Sequence, residues 1–185
     1  MKFSKFKVVM TALVAASAVL LAAPADAGKK ASAAFKLEGA WIARVVEVPG
    51  GQWTYTVSPD ASGRYATGHG SIDVGLYTPP LSDMVDTISP LLIDVVITSP
   101  DTAKFNSIWY GIKKVTGLAT IAEVVYIGVN RGELKRVAPN KSEGTHNIEF
   151  YLASSDADHD GLPDPGAVPV AGVTIHTIDT RLPSP

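Results

Sequence analysis

The chain has 185 residues, 46% of them hydrophobic, and a formal net charge of −2 at pH 7. That length fits one domain with a core of its own, and the mildly acidic balance argues against nucleic acid and anionic membrane surfaces as partners. Cysteine is absent, which excludes disulfides, thiolate metal sites, a Cys nucleophile and a lipid-anchoring cysteine.

Lys2, Lys5 and Lys7 precede an apolar run from Val8 to Ala23, and Ala25-Asp26-Ala27 fits a small-x-small cleavage site. Residues 1–27 therefore read as a secretory signal peptide, and 28–34, rich in Lys, Ala and Ser, as a flexible leader. The expected location is secreted or periplasmic. No later segment offers the ~18 consecutive apolar residues of a membrane helix, so no integral membrane segment is expected after cleavage. A single β domain is expected over residues 35–182.

Leu37 to Val48 reads as a strand that ends at the turn Pro49-Gly50-Gly51. Gln52 to Val57 alternates Trp53, Tyr55 and Val57 with Thr54 and Thr56, the period-2 pattern of a half-buried strand, so the two form a hairpin. After a turn at residues 58–63, Arg64 to Leu76 is extended, with glycines at 68, 70 and 75 that suggest bulges or close backbone approach. Leu81, Met84, Val85 and Ile88 recur at helical spacing, which predicts a short helix over 78–89.

Leu91 to Thr98 is an apolar strand around Asp94, followed by a strand over 104–113. Strands over 119–129 and 133–137 are expected to join through a turn at Asn130-Arg131-Gly132. Thr145 to Ala153 alternates Ile148, Phe150 and Leu152 with Asn147, Glu149 and Tyr151, and a closing strand spans 168–178. Eight or nine short strands, one short helix and no βαβ alternation predict an all-β fold, an antiparallel β-barrel with a β-sandwich as the alternative.

Between the last two strands lies Asp156-Ala157-Asp158-His159-Asp160-Gly161-Leu162-Pro163-Asp164. Side-chain oxygens at alternate positions, a glycine for the sharp turn, a carbonyl at Leu162 and a further carboxylate at Asp164 are what a calcium cage needs. The expected Ca²⁺ ligands are Asp156, Asp158, Asp160, the Leu162 carbonyl and Asp164, within a loop over 156–167. Position 12, normally a bidentate Glu, is Ala167, so the site should be weak or completed from elsewhere.

No catalytic residue is assigned. His69, His146, His159 and His176 are scattered without metal-ligand spacing, and no G-x-S-x-G elbow is present. His69, between Gly68 and Gly70, is the best-placed histidine for a role. The pairs Trp53 with Tyr55 and Trp109 with Tyr110 are candidates for a binding surface.

Leu37-Glu38-Gly39-Ala40-Trp41 resembles the G-x-W that opens the first strand of lipocalin-type barrels, and the resemblance implies a barrel whose Trp41 plugs the closed end beneath a ligand cavity. It makes Arg181 the candidate for the arginine that stacks on that tryptophan. The acidic loop resembles the D-x-D-x-D-G-x-x-D repeats of thrombospondin type 3 modules, which implies a calcium site. The sequence thus reads as a secreted, non-enzymatic barrel with structural calcium and room for a small apolar ligand. Its alternatives are an enzyme that uses the cavity, with His69, Asp94 or Glu123 as base, and a cell-surface interaction module. Oligomeric state is left open.

Overall fold

The computed structural model describes residues 35–72, 81–114 and 122–183. Among them are nine strands: β1 (Gly39–Val45), β2 (Gln52–Pro59), β3 (Tyr65–Ile72), β4 (Thr87–Ile88), β5 (Leu91–Ser99), β6 (Thr102–Lys114), β7 (Ala122–Ala138), β8 (Lys141–Leu152) and β9 (Ala171–Arg181). Every pairing is antiparallel. Leaving aside β4, the strands neighbour one another in chain order and β9 returns to β1, which closes an eight-stranded up-and-down barrel. Closure leaves no free sheet edge in the ring. No helix among the described residues is long and apolar enough to cross a membrane.

The period-2 pattern dictates which side chains enter the barrel. Trp41, Ala43 and Val45 of β1 and Trp53, Tyr55 and Val57 of β2 are buried, while the intervening Thr54 and Thr56 are exposed. The Pro49-Gly50-Gly51 turn is where expected: Val45 donates to Gly51 O at 2.9 Å, and Gly50 takes φ +83°, a region that glycine occupies without a Cβ clash. Trp41 is 1% exposed and its indole N–H donates to Leu37 O at 2.8 Å. With Phe35, Leu37, Tyr55, Val57 and Leu134 it belongs to one apolar cluster. A second cluster gathers Leu91, Trp109, Tyr126 and Phe150, where Phe150 meets Trp109 and Tyr126 edge-on at 5.9 and 5.6 Å.

Glycines make the second cluster possible. Trp109 lies opposite Gly128 and Gly111 opposite Tyr126, and a Cβ on either glycine would stand 2.2 Å from the facing ring. Each aromatic therefore covers a glycine across the strand pair.

Three expectations change. The helix over 78–89 is not formed: Leu81–Met84 makes a single 3₁₀ turn, Thr87–Ile88 is strand β4, and residues 78–80 lie outside the described residues. β6 extends beyond the end of β5 and offers unpaired backbone groups there. Asp86 N and Ser89 N bond to Ile112 O and Tyr110 O, both at 2.9 Å, and this ladder displaces a helix too short to repay its nucleation. The apolar stripe is still used, since Met84, Val85 and Ile88 pack on the second cluster.

The turn expected at Asn130-Arg131-Gly132 is also absent, because β7 runs unbroken through it. Gly132 is instead a crossing point, where a Cβ would lie 2.0 Å from Thr145 O and 2.6 Å from the Phe105 ring. The closing strand begins and ends later than expected, at Ala171–Arg181, which brings Asp179 into the sheet. The signal peptide expected over 1–27 and the leader expected over 28–34 lie outside the described residues.

Candidate functional site

The lumen between the two clusters holds a polar core. Asn130 on β7, His146 on β8 and Thr177 and Asp179 on β9 are all at most 5% exposed. Asn130 Nδ2 lies 3.1 Å from His146 Nδ1, and His146 Nε2 lies 3.0 Å from Thr177 Oγ1. An amide NH₂ can only donate, so His146 accepts at Nδ1 and, as the neutral imidazole, donates from Nε2 to Thr177. Burial pushes the His146 pKa down to about 3, with the His176 charge adding to the effect and Glu47 opposing it. The ring sits between Trp53 and Phe105, with centroids 5.0 and 4.8 Å away.

Asp179 is the acid of this core. Tyr55 donates its hydroxyl proton to Asp179 Oδ2 at 2.6 Å. Burial raises the Asp179 pKa to about 6, against the pull of hydrogen bonding from Thr177 and Tyr55. Tyr55 in turn is driven well above its ordinary value by its own burial and then by the Asp179 charge. Asn130 Oδ1 and Asp179 Oδ1 are buried without a hydrogen-bond partner. Both residues line a cavity of about 30 Å³, measured as the space open to a water's centre. Trp53, Tyr55, Leu91, Ile93, Phe105, Ser107 and His146 contribute to its walls.

The acidic loop lies on the outer wall. Ile127, Val129 and Tyr151 point outward from β7 and β8 yet are buried, in a cluster with Ile108, Tyr110 and Ala167. Ala167 thus brings the loop onto the barrel, which accounts for an alanine where a cage would place its twelfth ligand. Tyr110 donates its hydroxyl proton to Gly161 O at 3.0 Å, pinning the loop from β6. Within the loop Asp156 accepts from Asp160 N and Gly161 N at 3.0 and 3.1 Å, Asp160 from Leu162 N at 2.8 Å, and Asp164 from Ala157 N at 3.1 Å. Carboxylate oxygens of Asp156, Asp158 and Asp164 come within 4.8 Å of one another. Asp160 is not part of that group. Gly161 at φ +87° and His159 at φ +59° both take left-handed backbone in this loop.

Other candidates are placed elsewhere. His69, Asp94 and Glu123 are exposed on the outer face of the wall, so none is a base for chemistry in the lumen. Trp53 and Tyr55 face the lumen rather than forming an outer binding surface; Trp109 is inside and Tyr110 outside. Arg181 is the cross-strand partner of Trp41, and its guanidinium lies against Gly39, 3.0 Å from where a Cβ would be.

No family model and no curated protein matches the chain. Among solved structures, one described as EF1p2_mFAP2b bound to DFHBI matches at 14% identity with a TM-score of 0.41, over 79% of this chain and 94% of that one. The closed eight-stranded antiparallel barrel defines the class, and it fits the lipocalin-like fold that Gly39-Ala40-Trp41 implies.

Proposed function

We propose that the protein is an exported, non-enzymatic β-barrel that holds a small, largely apolar ligand in its lumen. The observation that carries this reading is the cavity itself, walled mainly by aromatic and aliphatic side chains and furnished with two buried acceptors, on Asn130 and Asp179, that no protein group satisfies. An orphaned buried polar group costs about 1–3 kcal/mol, a cost that a bound donor removes. Ligand sites combine this kind of apolar wall with a few convergent polar atoms. The test is two-dimensional NMR of residues 28–185 titrated with small amphiphilic compounds, methanol and n-propanol among them. Saturable shifts confined to lumen residues such as Ser107, Asn130 and His146 are expected; unmoved lumen signals throughout the panel would overturn the reading.

A second element of the proposal rests on the convergence of Asp156, Asp158 and Asp164. One Ca²⁺ held by Asp156, Asp158, Asp160, the Leu162 carbonyl and Asp164 would supply charge neutralisation where three carboxylates meet, and so fix the loop that covers Ile127, Val129 and Tyr151. The donor set is all oxygen, which suits a hard cation. With Ala167 in place of the bidentate carboxylate, a Kd on the order of 10⁻⁴ to 10⁻³ M is expected. At about ten times Kd the folded state gains about 1.4 kcal/mol. Melts in Ca²⁺ and in chelator, for wild type and the Asp158→Ala/Asp160→Ala double variant, decide this. Equal wild-type melting temperatures in the two conditions would leave the loop an acidic turn.

A further inference from the structure

Resting on the lumenal-binding reading, we propose that the ligand's head group is a primary ammonium, seated in the cavity between Asp179 and Asn130. The argument begins with charge. Tyr55, His146 and Asp179 are the titratable side chains among the described residues that line the cavity, and no Lys or Arg is among those lining residues. The hydrogen bond from Asn130 leaves His146 neutral, and Tyr55 is protonated because it donates to Asp179. An ionised Asp179 therefore gives the cavity a net charge of −1, with no cationic side chain to offset it. A buried, uncompensated carboxylate is among the costliest arrangements a fold can carry, and a cationic partner is what relieves it.

Hydrogen bonding selects further. The chain of donors runs inward from both sides: Asn130 Nδ2 to His146, His146 Nε2 to Thr177, and Tyr55 to Asp179 Oδ2. Thr177 also hydrogen-bonds Asp179, and among the residues that line the cavity the side-chain atoms left unpaired, Asn130 Oδ1 and Asp179 Oδ1, are acceptors. An anion is rejected on charge and a ketone or ether on the lack of a donor. An alcohol supplies one donor and no charge. An ammonium supplies three donors and the positive charge. Its third N–H has the Ser107 hydroxyl in the same wall, which Trp53 and Phe105 also line. The cavity, about 30 Å³ of space open to a water's centre, exceeds what one water needs and has room for one ammonium head. Tails longer than a few carbons must widen the apolar wall.

The experiment compares n-propylammonium with the neutral n-propanol at pH 7.5 by NMR titration of wild type and of Asp179→Asn, which keeps the shape and the acceptor for Tyr55. Wild type is expected to bind the amine at least tenfold more tightly than the alcohol, with shifts at Ser107, Asn130 and His146, and Asp179→Asn to bring the two to within about twofold. Equal affinity for amine and alcohol in wild type overturns the ammonium assignment while leaving lumenal binding intact. Binding of neither, with a water as the cavity's occupant, overturns both. Retention of the tenfold preference in folded Asp179→Asn also overturns the assignment; should that variant fail to fold, the wild-type comparison decides by itself.

Discussion

Asp179 and His146 are buried in one lumen and should bend the pH dependence of stability in opposite directions. Asp179 has its pKa raised from 3.8 to about 6, so in that window the native state holds more protons than the unfolded chain, and stability falls as pH rises. Two pKa units correspond to about 3 kcal/mol lost between pH 4 and pH 8. His146 is depressed from 6.5 to about 3, so below pH 6.5 the unfolded chain takes up a proton that the native state refuses. Stability therefore falls as pH drops, by about 5 kcal/mol once pH approaches 3. The wild-type profile is the near-cancellation of these slopes. Asp179→Asn removes the first and leaves the second. Relative to wild type, the variant should gain about 2–3 kcal/mol in going from pH 4 to pH 8, roughly 5–10 °C in melting temperature for a domain of this size. Urea melts at pH 4, 6 and 8 measure it. A stability difference that stays constant across these pH values would mean that Asp179 titrates as a solvated acid, and the buried carboxylate on which the ammonium argument stands would be refuted.

His146→Gln should show the opposite sign, gaining on wild type as pH falls from 7 to 4, because the amide keeps a donor and an acceptor but takes up no proton; the same urea series reports it. Trp41→Ala should cost about 3–5 kcal/mol in denaturant stability, since the indole is 1% exposed and its N–H is bonded to Leu37 O. Gly128→Val should give no cooperative unfolding transition by circular dichroism, because its first carbon would stand 2.2 Å from the Trp109 ring in a wall that cannot move aside. Mass spectrometry of exported protein should find a chain beginning near Gly28; an intact N-terminus would remove the case for export.

The barrel was legible because its signal is periodic. Trp53, Tyr55 and Val57 against Thr54 and Thr56 announce one wet and one dry face, and repetition of such strands between turns leaves few closed solutions. The missed features share a cause: they depend on partners distant in sequence. Gly132 looks like a turn residue until Phe105 and Thr145 occupy the place of its side chain, and the stripe through Met84, Val85 and Ile88 looks helical until the free end of β6 offers it a ladder. His146 was the more recoverable omission. It lies on the same alternating face as Ile148 and Phe150, so the pattern that identified β8 also places an imidazole in the core.

Asp179 was harder to find, since a closing strand ended at residue 178 leaves it in the tail. Its register decides its role: opposite Ala43 on one side and Ser142 on the other, it has small neighbours on both adjoining strands, and the space they leave is taken by the carboxylate and the Tyr55 hydroxyl. The acidic loop had the reverse fate. Its motif was plain in the sequence, but its place over Ile127, Val129 and Tyr151 was not, because those side chains belong to the outer face of strands whose outer face is otherwise polar. An outward Ile127 at 1% exposure requires a cover, and Ala167 at the twelfth position is better suited to covering than to ligation. Calcium bound at this loop would thus act on the barrel wall from outside, through Tyr110 and the apolar patch, while Asp179 governs what the lumen accepts from within. Removing Ca²⁺ should accordingly lower the melting temperature without altering the preference for amine over alcohol, and a preference that changed with Ca²⁺ would show that the two sites are coupled through β6 and β7.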